Sequence, residues 1–444
     1  MQATLLLSLW QSLLQPFDLA FTHPGWLRFC EWLTGIILNV EEHTITQSLV
    51  ALDRPDDWKA LETFAELGAW DQPTLLRRFA ALLDAAPGSL WHGYHVSALD
   101  DTKVHRNSAH VWGTCTFHEY TARCPNRAST VRAHNWVVLG RLLHNSDQPA
   151  WFLPHSGRLY FRKSQLPSTP VPQPFRTKCE LAVQLLREHA ASVPGPQLAV
   201  FDGGFAFASV VRPLVHPEPG QKRIDFLTRL RPDSRLFRLL AQEQEPTQKG
   251  KGRGRPRKWG QPLSPPRQGG RWPGQWQTGT AFIYGRKRTV RYKEVICQWH
   301  VVGWDVPVKA VVAEVEGYSE RFCLVSSATS LSGLQMVELF AARFRQEDGF
   351  RDLKQRLGWE ECRAWTKLPI ERTTQVLFCA LSLMRLLQFE LDKQQQADWW
   401  QAPPWNPRKS RPSVLDMERL FRQHREEFRR VVSEWLTEEG KKTG

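Results

Sequence analysis

Much is missing from this sequence of 444 residues, and each absence narrows its class. Its eight cysteines are scattered, with no C-x-x-C pair and no spacing suited to structural zinc. They read as reduced thiols of a cytosolic protein rather than a disulfide framework. His110, His118 and His134 also lack zinc-like spacing. No window approaches eighteen uninterrupted apolar residues, which argues against a membrane span. The apolar start MQATLLLSLWQSLLQPF has no basic n-region and no small-residue cleavage site; it reads as a buried helix, with a signal peptide as the alternative. The most informative absence is local. From Pro246 to Lys293 there is not one Asp or Glu against thirteen Lys or Arg, so this segment carries nearly all of the net charge of +14. Such a balance points to a polyanionic partner or an anionic surface.

At this length, with 41% hydrophobic residues, the chain can hold a catalytic core and one or two appended domains. Residues 1 to about 85 read as short capped helices, either a packing or dimerisation module or a helix-turn-helix-like DNA binder. From Gly93 the pattern becomes β, in GYHVSALDD, HVWGTCTFHEY and HNWVVLGRLL. A helix over 178–192 and the strand QLAVFDGG follow, which predicts a mixed α/β core with a crossover to a buried parallel strand. FASVVRPLV and IDFLTRLRPDSRLF continue as strand-like runs. The Gly-, Pro- and base-rich stretch 246–276 reads as an extended linker, and several alternating strands come after it. Helices then return: one around FAARFRQEDGFRDLKQRLGW, an apolar one after Trp365, and a charged one from Val414 to Leu436.

Phe340, Arg343, Glu347, Phe350 and Lys354 are spaced 3, 4, 3 and 4 apart, which predicts a single helical face with one carboxylate between two cations. Two strands end in acids, Asp100 and Asp101 in LDDT and Asp202 in FDGG. Carboxylates at strand ends meet at one edge of an α/β sheet, where ligands bind. Hard divalent cations take one or two carboxylates each, so three acids suffice for a two-metal site.

The run Phe340-x2-Arg343-x3-Glu347-x6-Lys354 resembles the Tyr-x2-Arg-x3-Glu-x6-Lys signature of DDE transposases from bacterial insertion sequences, with Phe340 in place of the tyrosine. LDDT and FDGG resemble the segments carrying the first two acids of that family, and HNWVVLGRLL and GRPRKWG resemble stretches between them. The resemblance covers roughly residues 90–390. It implies a ribonuclease H-like α/β fold with a β-rich insertion, a helical N-terminal domain and a helical C-terminal region. The corresponding division is 1–88 (helical, DNA-binding or dimerisation), 89–245 (first part of the core), 246–330 (basic linker and insertion), 331–395 (catalytic helix and end of the core) and 396–444 (C-terminal tail).

The resemblance further implies Asp101, Asp202 and Glu347 as catalytic ligands of two Mg²⁺, with Mn²⁺ as a substitute. Asp101 is preferred to Asp100 because the family's acid directly precedes the residue at Thr102, and adjacent strand residues face opposite ways. Arg343, Lys354 and Phe340 are expected at the DNA. Arg253, Arg255, Arg257 and Lys258 are expected there too: Arg253-Gly254-Arg255-Pro256 reads either as an AT-hook entering the minor groove or as a solvated basic linker. The implied partners are double-stranded DNA, as transposon ends and target, and a second copy of the chain on that DNA. The implied place is the cytoplasm, on the nucleoid, with no membrane. Two alternatives share these residues: a silent DNA-binding descendant, and a two-metal nuclease without strand transfer.

Overall fold

The leucine-rich start of the chain forms the helix its periodicity predicts. In the computed structural model, which describes residues 3–119, 129–144, 149–166, 174–240, 257–394 and 399–440, α1 (Ala3–Leu14) buries Leu6, Leu7, Trp10, Leu13 and Leu14. Four helices follow: α2 (His23–Leu38), α3 (Ile45–Ala51), α4 (Trp58–Leu67) and α5 (Gln72–Ala85). The side chains of Thr22, Thr44 and Asp71 accept backbone N–H bonds at three of their starts, satisfying donors that a helix start leaves orphaned.

The sheet opens with β1 (Leu90–Trp91) and β2 (Tyr94–His105), followed by β3 (Cys115–His118), β4 (Thr130–Leu143) and β5 (Trp151–Tyr160). β4 runs antiparallel to β2, β3 and β5. A Thr177–Glu180 capping box starts α6 (Lys178–Ser192), which crosses over to β6 (Gln197–Phe201). A second crossover through α7 (Ala208–Val215) leads to β7 (Ile224–Arg229). β6 lies parallel to both β2 and β7, giving the order β5-β4-β2-β6-β7.

The β-rich segment does not form a separate body. β8 (Leu236–Arg238), β9 (Gln277–Ile283), β10 (Arg286–Trp299), β11 (Gly303–Val315) and β12 (Phe322–Ser326) extend the same sheet, with β12 joined antiparallel to β7. Among the described residues this makes one mixed sheet of twelve strands. It is the ribonuclease H-like α/β class expected from the sequence, with helices at both chain ends.

Each face of the sheet has its own core. α6 and α7 cover one, where Leu181, Leu185, Val210 and Leu214 pack with Leu99, Ala199 and Phe201. On the other, Val96, Ala98 and Val200 meet the N-terminal helices and the C-terminal set: α8 (Gly333–Ala342), α9 (Arg345–Gln355), α10 (Lys367–Lys393), α11 (Val414–Gln423) and α12 (Arg425–Gly440). α10 is long and apolar enough to cross a membrane, yet 89% of its most apolar 18-residue window is buried inside the fold, as in a core helix. The described cysteines are all unpaired.

Four local expectations are corrected. β5 was not foreseen; its Pro154 fits at an edge of the sheet, opposite Gly140 at a register shift. FASVVRPLV forms the helix α7, because burial of Val210, Val211, Leu214 and Val215 follows a helical stripe. The charged final helix is divided at His424. The helix expected to carry Arg343 and Glu347 on one face is two helices, bent at Arg343 and Phe344. There the amides of Phe344, Gln346 and Glu347 bond carbonyls three residues back, which tightens the turn.

Candidate active site

Strand register decides which acids share a face. Leu99 of β2 lies level with Phe201 of β6 in a parallel pair, so the next residues, Asp100 and Asp202, are level too. Val96, Ala98 and Val200 face the α8–α10 side while Leu99 and Phe201 face α6; by the strand's period of two, Asp100 and Asp202 take the α8–α10 side. α9 brings Glu347 to that side, where the Asp202 carboxylate acts on both Asp100 and Glu347.

Asp101, the expected first ligand, takes the opposite face. Its carboxylate lies 2.6 Å from Nζ of Lys178, at the start of α6. The pleat that separates neighbours sends Asp100 to Arg343, between α8 and α9, and Asp101 to the crossover helix. Arg343 donates to Asp100 at 3.0 Å, and both side chains are mostly buried. Asp202 accepts the Gly204 amide at 2.8 Å, and its carbonyl receives the Thr228 hydroxyl at 3.0 Å, which fixes the loop after β6.

The electrostatics are those of a cluster short of positive charge. Burial pushes the Asp100 carboxyl up to about 7; Arg343 opposes this, and the carboxylates of Asp202 and Asp101 add to it. Burial also raises Glu347, with Arg343 opposing and Asp348 and Asp202 adding. Among the described residues, no group of three or more His, Cys, Asp or Glu side chains is arranged to hold a metal ion. The carboxylate pairs Asp100–Asp202 and Asp202–Glu347, with oxygen as the donor, nevertheless suit Mg²⁺, which takes its other ligands from water and phosphate.

α9 is fixed by contacts that no motif reveals. Gln346, fully buried beside Glu347, donates to the Val138 carbonyl at 3.1 Å, and Val138 is the residue paired with Asp100 across β2 and β4. Phe152 fills a notch between Gly349 and Gly140: a Cβ would come 2.6 Å from its ring at Gly349 and 2.3 Å at Gly140. Phe350 packs on the same ring.

The comparison with known families is decided by the region that builds the sheet. Residues 25–300 match the family described as DDE superfamily endonuclease. The chain belongs to that family. No curated protein matches it. The matched stretch holds Asp100, Asp101 and Asp202, while Arg343 and Glu347 lie beyond it.

The other expected residues of this DDE endonuclease are dispersed. Phe340 is buried, with the Arg343 guanidinium 5.5 Å from its ring centroid. Lys354 sits 4.0 Å from Glu360, and burial lowers its ammonium pKa, with Glu360 and Glu119 opposing. Lys258 stacks over the exposed Trp304 ring at 4.7 Å and Arg257 is exposed, both far along the chain from α9. Arg253 and Arg255 lie outside the described residues. Trp272 and Trp299 are core residues, whereas Trp276 carries Arg291 over its ring at 4.5 Å. Sequence reasoning missed Gln346, Lys178 and Gly349. A helical glycine two residues after the acid was a visible signal for close packing; Gln346 offered none.

Proposed function

We propose that this DDE endonuclease is a transposase: it binds the terminal inverted repeats of a mobile element, hydrolyses a phosphodiester at each end and joins the freed 3′ ends to target DNA. The observation that carries the reading is the level placement of Asp100, midway along β2, and Asp202, just past the end of the parallel neighbour β6, with Glu347 on the same side. Asp100 replaces Asp101 as the first ligand in this proposal, and two Mg²⁺ would be held by Asp100, Asp202 and Glu347. When bound, the ions supply Lewis-acid chemistry for in-line displacement at phosphorus. Arg343, already aimed at Asp100, is placed to meet a phosphate oxygen beside the ligands. Gln346 and the Gly349–Phe152 contact hold Glu347 in register with the strand ends, so positioning precedes substrate. Asp100 is mostly buried, which limits water around its carboxylate and strengthens its pull on a cation.

The net charge of +14, concentrated between Pro246 and Lys293, supports DNA as the partner through phosphate contacts. Work on two DNA ends at once calls for two copies of the chain, acting in the cytoplasm on the nucleoid. The test is Mg²⁺-dependent cleavage and joining of a DNA fragment carrying the element's own end, comparing wild type with Glu347→Gln. Cutting and joining by wild type, with binding alone by the variant, supports the reading. Cutting without joined products leaves a nuclease. Binding without cutting by both proteins, in Mn²⁺ as in Mg²⁺, returns the chain to a DNA-binding role.

A further inference from the structure

The tip of the β9–β10 hairpin is a strained point beside the carboxylates. Its two loop residues, Tyr284 and Gly285, both have positive φ, 47° and 87°. A two-residue turn of that hand favours Asn-Gly or Gly-Gly. A tyrosine in the left-handed region is a steric outlier, and strain of this kind collects where function requires it. Turn chemistry therefore does not account for the ring, but its contacts do. The ring packs edge-on against Phe344, with centroids 5.3 Å apart at 79°, and lies 5.6 Å from Tyr318.

Phe344 is one residue after Arg343 and three before Glu347, in the bend between α8 and α9. Neither Pro nor Gly occurs at that bend, so nothing in its own sequence interrupts the helix there. Two glycines seat the hairpin against it. β9 lies along α8 because Gly279 has no side chain, and a Cβ there would come 2.7 Å from Leu334. Gly285 supplies the positive φ that closes the turn, and the tip meets Arg345 at ordinary contact distance, its guanidinium 3.6 Å from where a Cβ would stand. Burial raises the Tyr284 phenol; Arg343 opposes this, while Tyr318 and Glu347 add to it, so the ring stands within range of both groups on the bend.

We propose that Tyr284 is a positioning residue: its ring braces the bend at Arg343 and Phe344 and thereby keeps Arg343 and Glu347 opposite Asp100 and Asp202. The insertion thus acts on the active site through its hairpin tip. The consequence for cleavage rests on the transposase reading, whereas the brace is a property of the fold and is tested without DNA.

The experiment is hydrogen exchange on the full-length protein, read at the amides of residues 341–349, for wild type, Tyr284→Asn, Tyr284→Phe and Phe344→Ala. Asn suits the turn, so Tyr284→Asn keeps or raises Tm while losing the ring. Exchange at the bend is expected to quicken by about tenfold in Tyr284→Asn and in Phe344→Ala, which removes the other half of the contact from a partly exposed site. Tyr284→Phe keeps the wild-type rate. Single-turnover DNA cleavage then falls by about tenfold in Tyr284→Asn at unchanged DNA Kd, and Tyr284→Phe restores it. Unchanged exchange in both ring-removing variants overturns the brace, whether or not the protein cuts DNA. Faster exchange with full-rate cleavage, or a weakened DNA Kd with full rate at saturation, overturns the positioning role. A wild type that binds but never cuts defeats the transposase reading instead, and the exchange result still decides the brace.

Discussion

Replacing Asp100 by Asn should stabilise the metal-free protein, and only above a definite pH. The Asp100 carboxyl is raised from 3.8 to about 7, chiefly by burial, with Arg343 offsetting part of the rise. A raised carboxyl favours the folded state while protonated. Its contribution is therefore complete below the unfolded value and is lost as pH climbs through the folded one. At about 1.4 kcal/mol per unit, a shift of three units sets an upper bound of about 4 kcal/mol. Asp100 keeps some solvent contact, with a fifth of its side chain exposed, so a gain of about 1–3 kcal/mol is expected at pH 8. Asn, nearly isosteric with the protonated acid, should match wild type at pH 4. The assay is thermal or urea unfolding in EDTA at pH 4, 6, 7 and 8, comparing midpoints. A gap that opens between pH 4 and 7 and then levels off is the predicted outcome. Equal midpoints at pH 8, or a gap independent of pH, would refute the claim that Asp100 ionises at a cost.

The same deficit makes cations stabilising: at pH 8, Mg²⁺ or Mn²⁺ should raise the unfolding midpoint of wild type by an amount equivalent to about 2–3 kcal/mol at a hundredfold excess over Kd, and EDTA should reverse it. Asp100→Asn and Asp202→Asn should lose that response, and an equal response in all three proteins would contradict it. Gly349→Ala forces a methyl group against Phe152 and should cost about 1–3 kcal/mol, with slower DNA cleavage as α9 is displaced; an unchanged melting curve would count against this packing account. Arg141, fully buried, bonds Asp84 at 2.9 Å, the Ser89 carbonyl at 2.9 Å and His95 at 2.9 Å. Arg141→Met leaves Asp84 with His95 alone, 2.7 Å away, and should cost about 2–4 kcal/mol in urea unfolding, and a loss below about 1 kcal/mol would refute that role.

Much of the core was legible because its signals are local. QLAVF is apolar after its first residue, as suits a buried parallel strand, and Thr177 with Glu180 announces the crossover helix. What the sequence left open depends on contacts far apart along the chain. β2 is buried on both faces from His95 to Leu99, so its composition does not tell the α6 side from the α9 side, and Asp100 and Asp101 look equivalent until β6 is set beside them. The bend at Arg343 and Phe344 carries no Pro or Gly; packing against the β9–β10 hairpin lies behind it, sixty residues earlier in the chain. β5 was hidden because Pro154 and Gly157 lower its strand propensity, and its place at the sheet edge tolerates both. Gln346 was invisible for a simpler reason: a buried glutamine has no pattern, only a carbonyl it happens to reach.

The most direct test of the central claim, that Asp100 rather than Asp101 joins Asp202 and Glu347, is Mg²⁺-dependent cleavage of an end-containing DNA fragment by Asp100→Asn and Asp101→Asn side by side. The structure predicts a loss of about a hundredfold or more in Asp100→Asn with DNA binding retained, and cleavage within about tenfold of wild type in Asp101→Asn. Cleavage that survives in Asp100→Asn and disappears in Asp101→Asn would contradict it.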